Sequence, residues 1–405
     1  MKKIFLLFVL SFTTLTVNIS IACTTAVISG KCTSDGRAIM WKLRDAGERE
    51  NCLRFFNDGK YTYIGLINSN EPTGEQVWGG SNSMGFSIMN NASYNVNLND
   101  TSSLKDQEGR FMKLALQTCA TLQDFEHLLD TYPKPSGLAA NIGVIDAQGG
   151  AAYYEVTNYT WTKFDANDVA VAPEGYLIRT NFSLSGKKDA GYGYVRFQTA
   201  QEIFKQAYQK DKFNYTTVIE EFSRCLYQSV LNENYREKYK TVPYGKHFIV
   251  SDDLITRNSS VSSIVVQGVK AGEPTDLTTI WSMVGYPNTC ISIPVWIRGG
   301  KDLPTILEYN PVMKTSPLNK AALEWKVGCY SLDIPEGSHY LNASALINKD
   351  GKGFIQRIEP VEKEIFAETE KKLDSWRVSP ATTKDITDYY AQLTKKVIDL
   401  YHITY

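Results

Sequence analysis

Short, mainly apolar and β-branched runs occupy 24–29 and 37–43, with Gly30 and Gly36 between them. This pattern predicts two strands joined as a hairpin. Similar runs predict strands over 61–67, 86–89, 141–146, 151–157, 176–180, 262–269, 278–284 and 290–297. Gly79, Gly80 and Gly85 punctuate the approach to the strand at 86–89, and Gln148, Gly149 and Gly150 fill the turn between 146 and 151. Apolar positions at helical spacing predict helices over 110–119, 122–131, 194–208, 217–230, 361–376 and 383–401. Thr121 with Asp124 three residues on is a helix-start signal, and Pro133 and Pro135 stop that helix. The stretch 304–317 reads as a looser connection. It divides a domain over 23–303 from a largely helical extension over 304–405 that packs on the same domain. Strands joined by tight turns, with helices grouped between blocks of strands, point to the α+β class with antiparallel sheets under helical layers.

The first residues differ from the rest. Lys2 and Lys3 precede an apolar run over 4–10, extended over 12–17, and Ser20 and Ala22 place small residues just before Cys23. This predicts a signal peptide over 1–22, cleaved after Ala22, and a periplasmic or secreted location. The run falls short of the ~20 residues that span a bilayer, so no integral membrane span is expected. Lys plus Arg number 43 against 44 Asp plus Glu, a net charge of −1, which argues against a general affinity for nucleic acid. With 43 % apolar and 21 % charged residues the composition is that of a globular protein, not of a disordered or coiled-coil chain. Seven cysteines are too few for a disulfide scaffold, although Cys32 and Cys52 lie close enough in sequence to pair. Four scattered histidines give no metal-ligand pattern, and no nucleotide-binding or zinc-protease motif is present, so neither metal nor cofactor is expected. Homo-oligomerisation stays open.

Cleavage after Ala22 makes Cys23 the first residue, and three readings of it follow. It can carry a lipid anchor, although Ser20 stands where such signals usually have an aliphatic residue, leaving the protein a binding or scaffold role. It can be a structural cysteine. Or it can be an N-terminal nucleophile, since a freed α-amine with a pKa of roughly 7.7–8.0 can take the proton of its own thiol without a histidine.

Cys23-Thr24-Thr25-Ala26, then Asp35-Gly36, then Trp41-Lys42-Leu43-Arg44-Asp45 resembles the choloylglycine hydrolases and the related acyl-coenzyme A:6-aminopenicillanic acid acyltransferases. Further segments match in order: Gly80-Ser81-Asn82-Ser83-Met84-Gly85-Phe86 with Asn90-Asn91, Asn141 to Asp146 with Gly149 and Glu155, Arg179-Thr180-Asn181-Phe182, and Arg257 with Gly285-Tyr286-Pro287. The resemblance implies a four-layer αββα sandwich and hydrolysis of linear amide C–N bonds through an N-terminal cysteine and an acyl-thioester. An acyltransferase using the same acyl-enzyme is the variant reading. The substrate implied is a small acyl amide of the bile-amide, N-acyl or penicillin-V type.

Residue by residue, the resemblance makes Cys23 the nucleophile and Asp45 the carboxylate that orients it; a surface turn is the alternative for Asp45. Asn181 matches a donor to the oxyanion. Asn91, or its neighbour Asn90, matches a second. Arg257 matches a late arginine near the nucleophile, or is a loop residue. The family has an arginine three residues before the Asp; here that position is Lys42, with an arginine at Arg44. Either cation stands beside the thiol or is a solvated strand residue. Asp146 and Glu155 read as structural.

Overall fold

The computed structural model describes residues 22–210, 213–331 and 335–404. The signal segment expected over 1–22 lies outside these except for Ala22. In chain order the main strands are β1 (Thr24–Ile28), β2 (Ile39–Asp45), β3 (Asn51–Phe56), β4 (Tyr63–Asn68), β5 (Gly79–Asn82), β6 (Ser87–Ala92), β7 (Ala140–Ile145), β8 (Ala151–Val156), β9 (Trp161–Asp165), β10 (Tyr176–Arg179), β11 (Ser260–Gln267), β12 (Thr279–Met283) and β13 (Ile293–Val295). One six-stranded sheet runs β10-β1-β2-β11-β12-β13; one seven-stranded sheet runs β3 to β9 in sequence order. Every pairing in both is antiparallel.

The main helices are α1 (Glu108–Thr118), α2 (Leu122–Thr131), α3 (Tyr194–Lys210), α4 (Pro317–Val327), α5 (Phe354–Val378) and α6 (Thr383–Tyr401). Thr121 and Asp124 form the capping box that starts α2, as the sequence predicts. α1 and α2 lay Phe111, Phe125 and Leu129 on Phe86, Ile88 and Tyr154 of the seven-stranded sheet. On the outer face of the other sheet, Phe204 of α3 meets Trp41 at 6.0 Å, Phe366 of α5 meets Trp281 at 5.2 Å, and Tyr390 of α6 stacks on Trp296 at 5.9 Å. The two sheets face each other, β1 against β7 and β8 and β2 against β6, with Val27, Met40, Met89 and Tyr153 in the buried cluster that includes this interface. The arrangement is α+β and four layers deep, αββα.

Two expectations change, and the question left open for the cysteines is answered. The helix expected over 217–230 stops at Phe222: Tyr215–Thr217 and a π-turn over Val218–Phe222 are followed by a short strand at Tyr227–Gln228. The Ser223 hydroxyl bonds the Val218 carbonyl at 3.0 Å and accepts the Trp41 indole at 2.9 Å, which turns the chain into the core. The stretch 304–317 is not loose. Ile306 and Leu307 are fully buried, and the Leu307 carbonyl accepts the Leu53 amide at 2.8 Å. Finally, among the described residues no disulfide joins any cysteine; Cys32 and Cys52 belong to different layers and all seven are buried.

Candidate active site

Cys23 enters the six-stranded sheet one residue ahead of β1. Thr25 lies opposite Lys42 and Thr24 opposite Leu43, so Cys23 comes alongside Arg44 at the end of β2. Side chains alternate across a strand, so Lys42 and Arg44 share one face, and Leu43 and Asp45 the other. Cys23 is 6 % exposed and points its S–H at the backbone carbonyl of Asp45, 3.8 Å away.

The Asp45 carboxylate is buried, not on a surface turn. Its Oδ2 accepts Arg257 Nε at 2.9 Å and its Oδ1 accepts the Ser260 hydroxyl at 2.7 Å. Arg257 is a loop residue with a defined task. Besides holding Asp45 it donates to the Asp252 carbonyl at 2.9 Å and to the Ala22 carbonyl at 3.3 Å. Arg196, at the start of α3, grips the residue on the other side: its Nη1 donates to the Cys23 carbonyl at 2.8 Å and to Thr24 Oγ1 at 2.9 Å. Cys23 is thus flanked by two guanidinium groups, Arg257 on the carbonyl before it and Arg196 on its own.

Lys42 and Arg44 are 3 % and 5 % exposed, which excludes the solvated-strand reading. Lys42 donates to the Trp78 carbonyl and to Asn90 Oδ1, both at 2.7 Å. Arg44 donates to Asn51 Oδ1 and Asn68 Oδ1 and stacks over Trp78. Burial pushes the Lys42 ammonium down to about 7, opposed by the sulfur of Cys23. Arg44 falls to about 10 for the same reason, again opposed by Cys23. Arg196 also falls to about 10, through burial and then the neighbouring Arg257, opposed by Asp45 and Cys23. Among the described residues none of these three cations has a carboxylate within ion-pair distance; their partners are carbonyls, amides and a hydroxyl. Three buried cations therefore surround one sulfur.

The two asparagines sit beside this cluster. Asn181 accepts Arg196 Nη2 on its Oδ1 at 2.9 Å and donates Nδ2 to the Ala92 carbonyl at 2.9 Å. Asn91 donates to the Thr180 carbonyl and accepts the Thr25 hydroxyl at 3.1 Å. Both amides are tied to backbone carbonyls, those of Ala92 and Thr180. Asn90 points instead to Lys42. Asp146 and Glu155 are structural, as the sequence suggests: Asp146 accepts the Leu122 amide at the start of α2, and Glu155 pairs with Arg179 at 2.8 Å.

A cavity of about 320 Å³ opens at Ala22, lined by Tyr192, Tyr194, Arg196, Asp253 and Arg257. Both tyrosines are more than a third exposed. Sequence reading missed Arg196, Ser260 and Gly193. Arg196 looks like any polar residue on an amphipathic helix. Gly193 has φ +83°, and a Cβ there would collide with Arg196 Nη2. The paired glycines at 191 and 193 ahead of a helix were the available signal. Among the described residues no group of His, Cys, Asp and Glu could hold a metal ion, and no helix is long and apolar enough to cross a membrane.

No family model matches the chain, and no curated protein matches it in sequence. Solved structures are similar at low identity. A Caenorhabditis elegans N-acylethanolamine-hydrolyzing acid amidase ortholog shares 18 % identity over 46 % of this chain and 79 % of its own, with a TM-score of 0.36. A variant of conjugated bile acid hydrolase from Clostridium perfringens shares 13 % over 68 % of this chain and 92 % of its own, with a TM-score of 0.36. Penicillin V acylase from Agrobacterium tumefaciens shares 11 % over 68 % and 86 %, with a TM-score of 0.35. The assignment to a four-layer α+β fold rests on the strand pairing and helix packing described above.

Proposed function

We propose that this chain is an N-terminal nucleophile amidohydrolase of linear acyl amides, working through Cys23 once residues 1–22 have been removed in the periplasm or on secretion. The observation that carries the reading is the environment of the Cys23 thiol: a buried Asp45–Arg257 ion pair on one side, Arg196 on its carbonyl, and Lys42 and Arg44 alongside.

The chemistry follows from the groups at hand. Removal of residues 1–22 converts the residue 23 amide nitrogen into an amine. That amine takes the thiol proton, and the sulfur attacks the amide carbonyl. The tetrahedral oxyanion is assigned to the Asn181 and Asn91 amides, whose bonds to the Ala92 and Thr180 carbonyls must yield to it, a donor of that type supplying roughly 3–4 kcal/mol. The C–N bond breaks as the α-ammonium returns its proton to the leaving amine, and an acyl-thioester remains. Water, deprotonated by the same amine, releases the acid. Asp45, fixed by Arg257 and Ser260, is assigned in this reading the task of holding the α-ammonium by a charge-assisted hydrogen bond.

The test is turnover of a panel of acyl amides by protein whose first residue is Cys23, with Cys23→Ala and Cys23→Ser as controls. The expected result is loss of turnover in both variants and an acyl adduct on residue 23 by mass spectrometry. Full turnover in both variants, or a native N-terminus other than Cys23, overturns the assignment.

A further inference from the structure

Lys326 sits on α4, in the extension beyond residue 303, yet it reaches the loop that carries Arg257. Its ammonium donates to the carbonyl of Asn258. It is 1 % exposed and lies over the rings of Tyr286, at 4.8 Å, and Tyr330, at 5.9 Å. The charged and titratable groups facing it are Arg49, Cys329, Asp45 and these two tyrosines; no carboxylate is within ion-pair distance among the described residues. The same extension holds the other end of the loop. His339 contacts Asp252 at 2.8 Å, its carbonyl accepts the Ser251 amide at 2.9 Å, and Tyr340–Asn342 pairs with Phe248–Val250.

A buried ammonium with no carboxylate partner is costly to take out of water, a cost that an apolar side chain of similar volume does not carry. Lys326 is therefore a poor structural residue in the place where it stands. What its N–H does secure is the loop backbone one residue after Arg257, and Arg257 in turn holds Asp45.

We propose that Lys326 is a positioning residue for the Cys23 site: by fixing the Asn258 carbonyl it sets the loop that presents Arg257 to Asp45. The extension is then a working part of the site and more than a cover for the sheet. This rests on the amidohydrolase reading only for its consequence in turnover.

The test compares mature wild-type protein with Lys326→Met and Lys326→Gln, by two readouts. The first is the rate at which iodoacetamide alkylates Cys23, followed by mass spectrometry. The second is kcat and KM on whichever acyl amide the wild type accepts. Lys326→Met should keep or raise the melting temperature while Cys23 alkylation and kcat fall about tenfold or more and KM stays within about twofold. Lys326→Gln, which keeps an N–H for Asn258, should recover part of the loss. Unchanged alkylation in both variants overturns the inference, as does failure of both to fold, which would make the residue structural. If the wild type turns over no acyl amide, the amidohydrolase reading falls, and the alkylation comparison still decides the role of Lys326.

Discussion

Gly193 sets how closely the Arg196 guanidinium approaches the Cys23 carbonyl, because its positive φ and missing side chain leave the space that Nη2 occupies. Gly193→Ala should displace Arg196 and cost at least about 1 kcal/mol of stability from the left-handed backbone alone. Urea unfolding gives that figure, and an unchanged midpoint with unchanged turnover would show the guanidinium has room to spare. Asp45 makes a second test. Asp45→Asn keeps the shape but removes the charge that pairs with Arg257. A fall in kcat/KM of about a hundredfold, roughly 2.7 kcal/mol, is expected, with the fold intact by circular dichroism. At this scale Cys23 was legible as a candidate because the expected cleavage and the proposed chemistry meet on one residue. Arg196 was not, because only tertiary packing distinguishes a buried guanidinium from a solvated one.

Among the elements, the ones with strong local signals were the ones the sequence placed well. α2 begins where Thr121 and Asp124 say it should, and α6 has its own capping box in Thr382 and Asp385. β3, β5 and β9 were not expected. β5 is Gly79-Gly80-Ser81-Asn82, which has no apolar alternation, and β9 is a half-exposed edge strand. Their pairing is decided by neighbours and not by their own residues. The false helix over 217–230 fails for a comparable reason. Arg224 leaves it to meet Glu362 of α5 by two bonds of 2.6 and 2.8 Å, both side chains fully buried. Arg224→Met alone should cost about 3–5 kcal/mol because it strands the Glu362 carboxylate. The double change with Glu362→Leu should regain most of it; a double variant no better than the single one would contradict the pairing as the cause.

For the whole molecule, buried titratable groups set the pH dependence of stability. Lys42 and Lys326 are both pushed down to about 7, chiefly by burial. Their unfolded values are near ~10.4, so above about 7 the folded chain has released protons that the unfolded chain still binds, and stability rises with pH. Buried thiols act in the opposite sense. Burial raises Cys52 and Cys119 to about 11 and Cys225 and Cys290 to about 12. Above ~8.5 the unfolded thiols ionise first and stability falls. The urea midpoint of the full-length chain should therefore peak between about pH 7 and 8.5; a monotonic fall from pH 7 to 9.5 would contradict this balance. Antiparallel sheets under helical layers were legible, because strand runs and helix pairs recur in blocks along the sequence; the four-layer order was an expectation of the family resemblance alone. The close packing of 304–317 was not, since its apolar residues are spread among prolines and polar positions and show no period.

Ala22 is 3 % exposed, its carbonyl is taken by Arg257, and the next carbonyl is taken by Arg196. Under the proposed processing, the new α-amine would emerge between these two guanidinium groups: the cut would take from Arg257 one of its acceptors and leave Arg196 with its own, so the charge that fixes Asp45 would be freed for its task by the same event that makes the base.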